Sequence, residues 1–184
     1  VDGINVKDIP VAELRKKIGL VPQKAVLFTG SVKENILFGN EQATEEEMIH
    51  AAKVAQAYDF VSEMKEGFDS MISQGGTNVS GGQKQRLSIA RALVRKPEIF
   101  LFDDSFSALD FKTDAKLRAA LKEEINEATV LIVAQRVSTV MDANRIIVLD
   151  EGYVVGVGTH KELMDTCDVY KEIVSSQLSK EDIA

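Results

Sequence analysis

The sequence predicts an α/β fold: a mainly parallel sheet with a helical segment inserted into it. Three observations carry that expectation. Ile99-Phe100-Leu101-Phe102 and Thr129-Val130-Leu131-Ile132-Val133-Ala134 are apolar at nearly every position, as parallel strands covered on both faces are. Helical patterns lie between the strands, so strand and helix alternate along the second half of the chain. Residues 29–95 are patterned almost entirely as helix, which marks them as an insertion between a core of 1–28 and 96–184.

Ile18-Gly19-Leu20-Val21 is a short buried strand that Pro22-Gln23 turns into a loop, placing Gln23 at a strand end. Thr44 and Glu47 have the spacing of a capping box, and Met48, Ala51, Ala52 and Ala55 share one face of the helix that follows. A second helix is expected over 58–64, then a polar, glycine-rich loop over 73–78. Ser80 and Gln83 form another capping box, opening a helix that reaches about Arg95 and is stopped by Pro97. Asp103 and Asp104 end the next strand, and Asp110 caps a helix that runs through Leu117, Leu121 and Ile125. After the strand that ends at Gln135 come a short helix near 137–141, a third strand over 145–149, a Glu151-Gly152 hairpin turn and a capping box at Thr159 and Glu162.

The 184 residues, 45% hydrophobic and 28% charged, suffice for one globular domain with its own core. The net charge of −7 argues against a nucleic-acid partner, because neutralising phosphates requires an excess of Lys and Arg. The longest apolar runs fall far short of the roughly 20 residues of a membrane-spanning helix. Cys167 stands alone, so it is read as a small, partly buried apolar residue; His50 and His160 lack companions at ligand spacing, so no protein metal site is assigned to them.

In open α/β sheets ligands bind beyond the C-terminal ends of the strands, which would bring Gln23, Asp103, Asp104 and Gln135 to one edge. An acid after a fully apolar strand can hold Mg²⁺ on nucleotide phosphates, although strand ends also carry acids simply because they meet water. Ser80-Gly81-Gly82-Gln83 is more specific: two residues without side chains expose backbone N–H groups at the positive end of a helix, where phosphate binds. The plainer alternative is an ordinary capped helix with a flexible start. Lys84, Arg86, Arg91 and Arg95, each taken alone, read as a solvated helix face.

These motifs together resemble a family. Ser80-Gly81-Gly82-Gln83-Lys84-Gln85-Arg86 with Ala90-Arg91-Ala92-Leu93, then Ile99-Phe100-Leu101-Phe102-Asp103-Asp104, then Ser107-Ala108-Leu109-Asp110, resemble the signature motif, Walker B strand and D-loop of ABC ATPases. Val21-Pro22-Gln23 looks like the Q-loop. Leu27-Phe28-Thr29-Gly30-Ser31-Val32, Glu34-Asn35-Ile36 and Gly158-Thr159-His160 with Glu162-Leu163 are similar to the exporter branch, so the resemblance covers nearly the whole chain. It implies a P-loop NTPase core, ATP and Mg²⁺ as ligands, and a site shared between two nucleotide-binding domains. Asp103 would hold Mg²⁺, Gln23 would contact the metal or the attacking water, and Ser80, Gly81, Gly82 and Gln83 would clamp the γ-phosphate of the partner's ATP. Asp110 would help to join the two sites. A transmembrane domain of the same polypeptide would place the chain at the cytoplasmic face of a membrane as part of an exporter.

Two residues depart from the family pattern. Asp104 stands where the family has the water-activating Glu, and Gln135 stands where it has His. Asp is one methylene shorter, and a displacement of about 1 Å can cost on the order of 100-fold in rate. Gln cannot carry a proton at neutral pH as imidazole can. Both changes weaken one site, which is expected to be the degenerate member of a heterodimeric pair; two tolerated substitutions in a working enzyme are the alternative. Val79, where Leu is usual, leaves the signature usable. A P-loop needs G-x-x-x-x-G-K followed by Ser or Thr, and the one near spacing, Gly76 to Gly81, is followed by Gly82. The chain opens at Val1 in mid-pattern, so a fragment lacking the strands and P-loop upstream is expected, inactive by itself. A nucleotide-gated regulatory module that binds without hydrolysis, and a soluble ABC ATPase, remain as other function classes.

Overall fold

The computed structural model describes residues 1–181, with side chains through Gln177. Two compact units divide the chain, 1–133 and 134–184.

In the first unit, α1 (Val11–Lys17) leads directly into β1 (Ile18–Val21). A two-residue strand β2 (Gly30–Ser31) precedes α2 (Val32–Leu37), α3 (Glu45–Val54) and α4 (Tyr58–Ser62), and pairs antiparallel with β3 (Met71–Ile72). The stretch expected to be almost purely helical thus contains one small strand pair. The 73–78 loop includes a single tight turn at Gln74–Gly76, where Gly75 and Gly76 take φ of 68° and 66°. Then come α5 (Gly81–Leu93), β4 (Ile99–Asp103), α6 (Phe111–Glu124) and β5 (Thr129–Val133).

The order β1-β4-β5 forms a parallel sheet, with Val21 opposite Phe102 and Asp103 opposite Val133. Its two faces differ. Val21, Phe100 and Phe102 point into the main core with Leu87, Ile89 and Leu117. On the opposite face Leu20, Leu131 and Val133 are 58%, 56% and 57% exposed, so the expectation of strands covered on both sides fails here. Apolarity at every position reports membership of a sheet, and among the described residues only one face of this sheet is packed.

The second unit holds α7 (Val137–Val140), β6 (Ile146–Asp150), β7 (Tyr153–Gly158), α8 (His160–Thr166) and α9 (Asp168–Glu181). The predicted third strand, β6, pairs antiparallel with β7 and forms a separate two-stranded sheet. The cause is local: Glu151 and Gly152 both adopt positive φ, 47° and 84°, the twist that folds two strands directly back on one another. Val137, Ile146, Val148, Leu163, Cys167, Tyr170 and Val174 form this unit's own core, and Cys167 is buried there as a small apolar residue.

Candidate functional site

The C-terminal ends of β1 and β4 assemble the acidic part of the site. Gln23 follows β1 by two residues, and its Nε2 donates to Asp104 Oδ2 at 3.2 Å. Asp103 closes β4 and is exposed at the strand end, while Asp104 is half-buried. The backbone is pinned from both sides: Asp104 N–H donates to Val133 O at 2.8 Å, and the Ser107 hydroxyl donates to Asp104 O at 2.8 Å. Asp104 itself takes φ of 42°, in the left-handed region that Asp tolerates better than most residues.

Ser105, absent from the sequence-based candidates, is fully buried behind these acids. Its hydroxyl reaches Val21 O at 2.8 Å, linking the root of the Gln23 loop to the end of β4. The clue available in sequence was a hydroxyl between two acids and the buried Phe106.

The second part of the site is the start of α5. Ser80 Oγ accepts from Gln83 N–H at 3.2 Å, and Gln83 Oε1 accepts from Ser80 N–H at 2.9 Å, which completes the expected capping box. No acid lies in the first turn. A Cβ built on Gly81 would meet nothing within 4 Å, so the helix end is open to a ligand; one on Gly82 would come within 3.3 Å of Ala108 O, so the bare backbone there lets the 107–110 loop approach. Asp110 ends that loop and caps α6 by accepting from Thr113 N–H at 2.9 Å. Hydrogen bonds from Thr113 hold its carboxyl below the ordinary carboxylate range.

Arg86 and Arg91 of α5 are partly buried and correct the expectation of a solvated face, whereas Arg95, just past the end of α5, stays exposed as expected. Lys84 donates to Gly75 O at 2.8 Å, Arg86 to Gln56 O at 2.7 Å, and Arg95 to Arg15 O at 2.6 Å. Arg91 donates to Asn35 O, Val26 O and Asn35 Oδ1 at 2.8–2.9 Å, beneath the Phe28 ring. Burial lowers the pKa of both Arg86 and Arg91, and nearby Asp110 and Asp59 pull Arg86 partly back. A helix with carbonyl-ending loops on its polar side uses its cations to hold those loops, which a one-dimensional charge pattern does not distinguish from solvation. Gln135 lies in the second unit, where its carbonyl accepts from Gln177 Nε2 at 2.6 Å.

Asp103, exposed at the end of β4, and Asp104, bonded by Gln23, carry carboxylate oxygens of the kind that hold Mg²⁺, and the acid-free, open start of α5 suits a phosphate. G-x-x-x-x-G-K with Ser or Thr does not occur in these 184 residues.

Known proteins resemble this chain over nearly its whole length. An ABC transporter ATP-binding protein of Bacillus subtilis, YfiB, is 46% identical over 181 residues, spanning 98% of this chain and 31% of that protein. A putative multidrug export ATP-binding/permease protein of Staphylococcus aureus is 44% identical over 177 residues, spanning 96% and 31%. The solved structure of a bacterial Atm1-family ABC exporter with ATP bound superposes with a TM-score of 0.93 at 36% identity, over 96% of this chain and 31% of that one. The chain therefore spans about a third of the length of each of these three proteins. Residues 1–107, from the first turn past Gln23, the capped start of α5 and the acids after β4, match the ABC transporter family, and the chain belongs to that family.

Proposed function

We propose that these residues are part of the ATP-binding domain of an exporter that couples ATP binding and hydrolysis to export of a substrate across a membrane. The observation that carries this reading is the Gln23–Asp104 contact at the ends of two parallel strands, beside Asp103. Asp103 and Gln23 would hold Mg²⁺, which when bound neutralises charge on the phosphates. Ser80, Gly81, Gly82 and Gln83 would serve a nucleotide held mainly by a second ATP-binding domain, with Asp110 helping to join the two sites. Residues 29–95 would act as the subdomain carrying that helix, and 1–28 with 96–184 as the ATPase core. A transmembrane domain of the same polypeptide would hold the whole at the cytoplasmic face of a membrane, as the ATP-binding/permease name of the S. aureus relative supports.

Within that pair of sites this chain's own would be the degenerate one. The Asp104 carboxylate is a methylene shorter than Glu and already accepts a hydrogen bond from Gln23. Gln135 cannot carry a proton at neutral pH. Steady-state ATPase rates of the reconstituted full-length pair test this: Asp104→Asn should change total turnover little, while the matching change in the partner removes most of it. Equal losses would replace the degenerate site with two equal catalytic sites.

A further inference from the structure

Gln23 sits in a segment, residues 22–29, without helix or strand, so something else must fix its position. One helix does so from both sides. Gln85 of α5, 1% exposed, donates through Nε2 to Pro22 O at 3.2 Å, immediately before Gln23. Two turns further along the same helix, Arg91 Nη1 donates to Val26 O at 2.9 Å, three residues after it. Arg91 also donates to Asn35 Oδ1 at 2.9 Å, and the buried Asn35 side chain in turn bonds both Phe28 N–H and Phe28 O at 2.9 Å. From Pro22 to Phe28 the chain is therefore held at three carbonyls, each by a side chain of α5 or by Asn35, which Arg91 orients.

We infer that Gln85 and Arg91 are positioning residues that grip the Gln23 segment from α5 and thereby set the Gln23–Asp104 contact. The inference rests on the reading of Gln23 as part of the nucleotide site. Physically, α5 is a rigid 13-residue rod whose N-terminal end offers N–H groups to a phosphate and whose body grips the loop that reaches this chain's own acids. A tilt of the rod caused at one end must move Pro22 O and Val26 O at the other, so the two halves of the candidate site share a mechanical element rather than merely a neighbourhood.

Hydrogen exchange and Mg²⁺ titration of the full-length protein test this. In Gln85→Met and in Arg91→Met, amide exchange in the peptide covering 23–29 should accelerate about five- to tenfold, the effect of losing a hydrogen bond, while the 73–78 loop stays unchanged. Arg91→Lys should fall between, because one ammonium cannot reach three acceptors placed for a guanidinium. Unchanged exchange over 23–29 in both Met variants overturns the grip. The second readout separates positioning from plain stability: the Mg²⁺ dependence of nucleotide binding should weaken in Gln85→Met, and that weakening should vanish in a Gln23→Ala background. Additive losses overturn the positioning role. Should Gln23→Ala alone leave the Mg²⁺ dependence intact, the nucleotide reading of Gln23 fails, and exchange still decides whether α5 holds the segment.

Discussion

Among the described residues four helices begin with a complete capping box, and one of them differs from the rest. At α2, α3 and α8 the box is closed by Glu34, Glu47 and Glu162; at α5 it is closed by Gln83. Backbone and hydroxyl hydrogen bonds from Ser31 and Thr159 lower the pKa of Glu34 and Glu162, and a bond from Lys96 does so first for Glu47. These three carboxylates therefore stay ionised and compensate the positive ends of their helices; α3 adds Glu45 and Glu46. The start of α5 satisfies the same backbone N–H groups with a neutral amide and leaves the positive potential in place. Capping geometry and electrostatic compensation are separable, and only the helix read as a phosphate clamp has the first without the second.

The strongest way to break that contrast is to give α5 an acid. Gly81→Asp meets open space, so folding should be preserved, with an unchanged or higher melting temperature. ATP turnover of the assembled transporter should nevertheless drop about 100-fold, as when a preorganised donor to transition-state charge is lost. Full turnover with a raised melting temperature would show that no anion comes to this helix end.

Gln83→Glu is a milder version of the same change, because it converts the α5 box into the α3 type. It should stabilise the helix by about 0.3–1 kcal/mol in denaturant unfolding and weaken nucleotide-dependent pairing of the domains. Stabilisation without any loss of pairing would mean that the neutral amide has no bearing on function.

The smallest effect lies in pH dependence. Glu47 has a folded-state pKa lowered from the ordinary 4.5, so its contribution is complete above that value and is lost as pH falls through the lower folded value. Glu47→Gln should remove this part of the acid sensitivity, flattening the melting temperature against pH below about 4.5. An acid limb identical to that of the unaltered protein would deny α3 its charged cap.

The boundaries that local chemistry determines were legible in the sequence. Thr44, Ser80 and Thr159 each announce a helix by a hydroxyl three residues before a carboxylate or amide, and Asp110 does so alone. Ser31 and Glu34 have the same spacing and open α2 with the same box. What the pattern could not convey was tertiary. It placed the hairpin turn at Glu151 and Gly152, but it did not show that β6 and β7 form a sheet of their own rather than extending the parallel one. Nor did it separate a cation in water from one among carbonyls, as at Arg91. Gln85 was visible in principle, as an amide sharing the buried stripe with Ser88, Ile89 and Ala92. For the site, the strand ends placed Gln23 beside Asp104 as expected, whereas Ser105 and the grip of α5 depend on contacts across 84, 63 and 65 residues of sequence.

Asp104's left-handed backbone carries one last consequence. Asp and Glu codons differ by a single third-position base, so the change from a short carboxylate to a long one is always within reach of mutation. The conformation at φ 42° sets a toll on that step, since Asp is enriched there and Glu is not. A change to the longer acid is thus opposed by folding stability. The backbone at this position thus favours a short carboxylate independently of any chemistry that carboxylate performs.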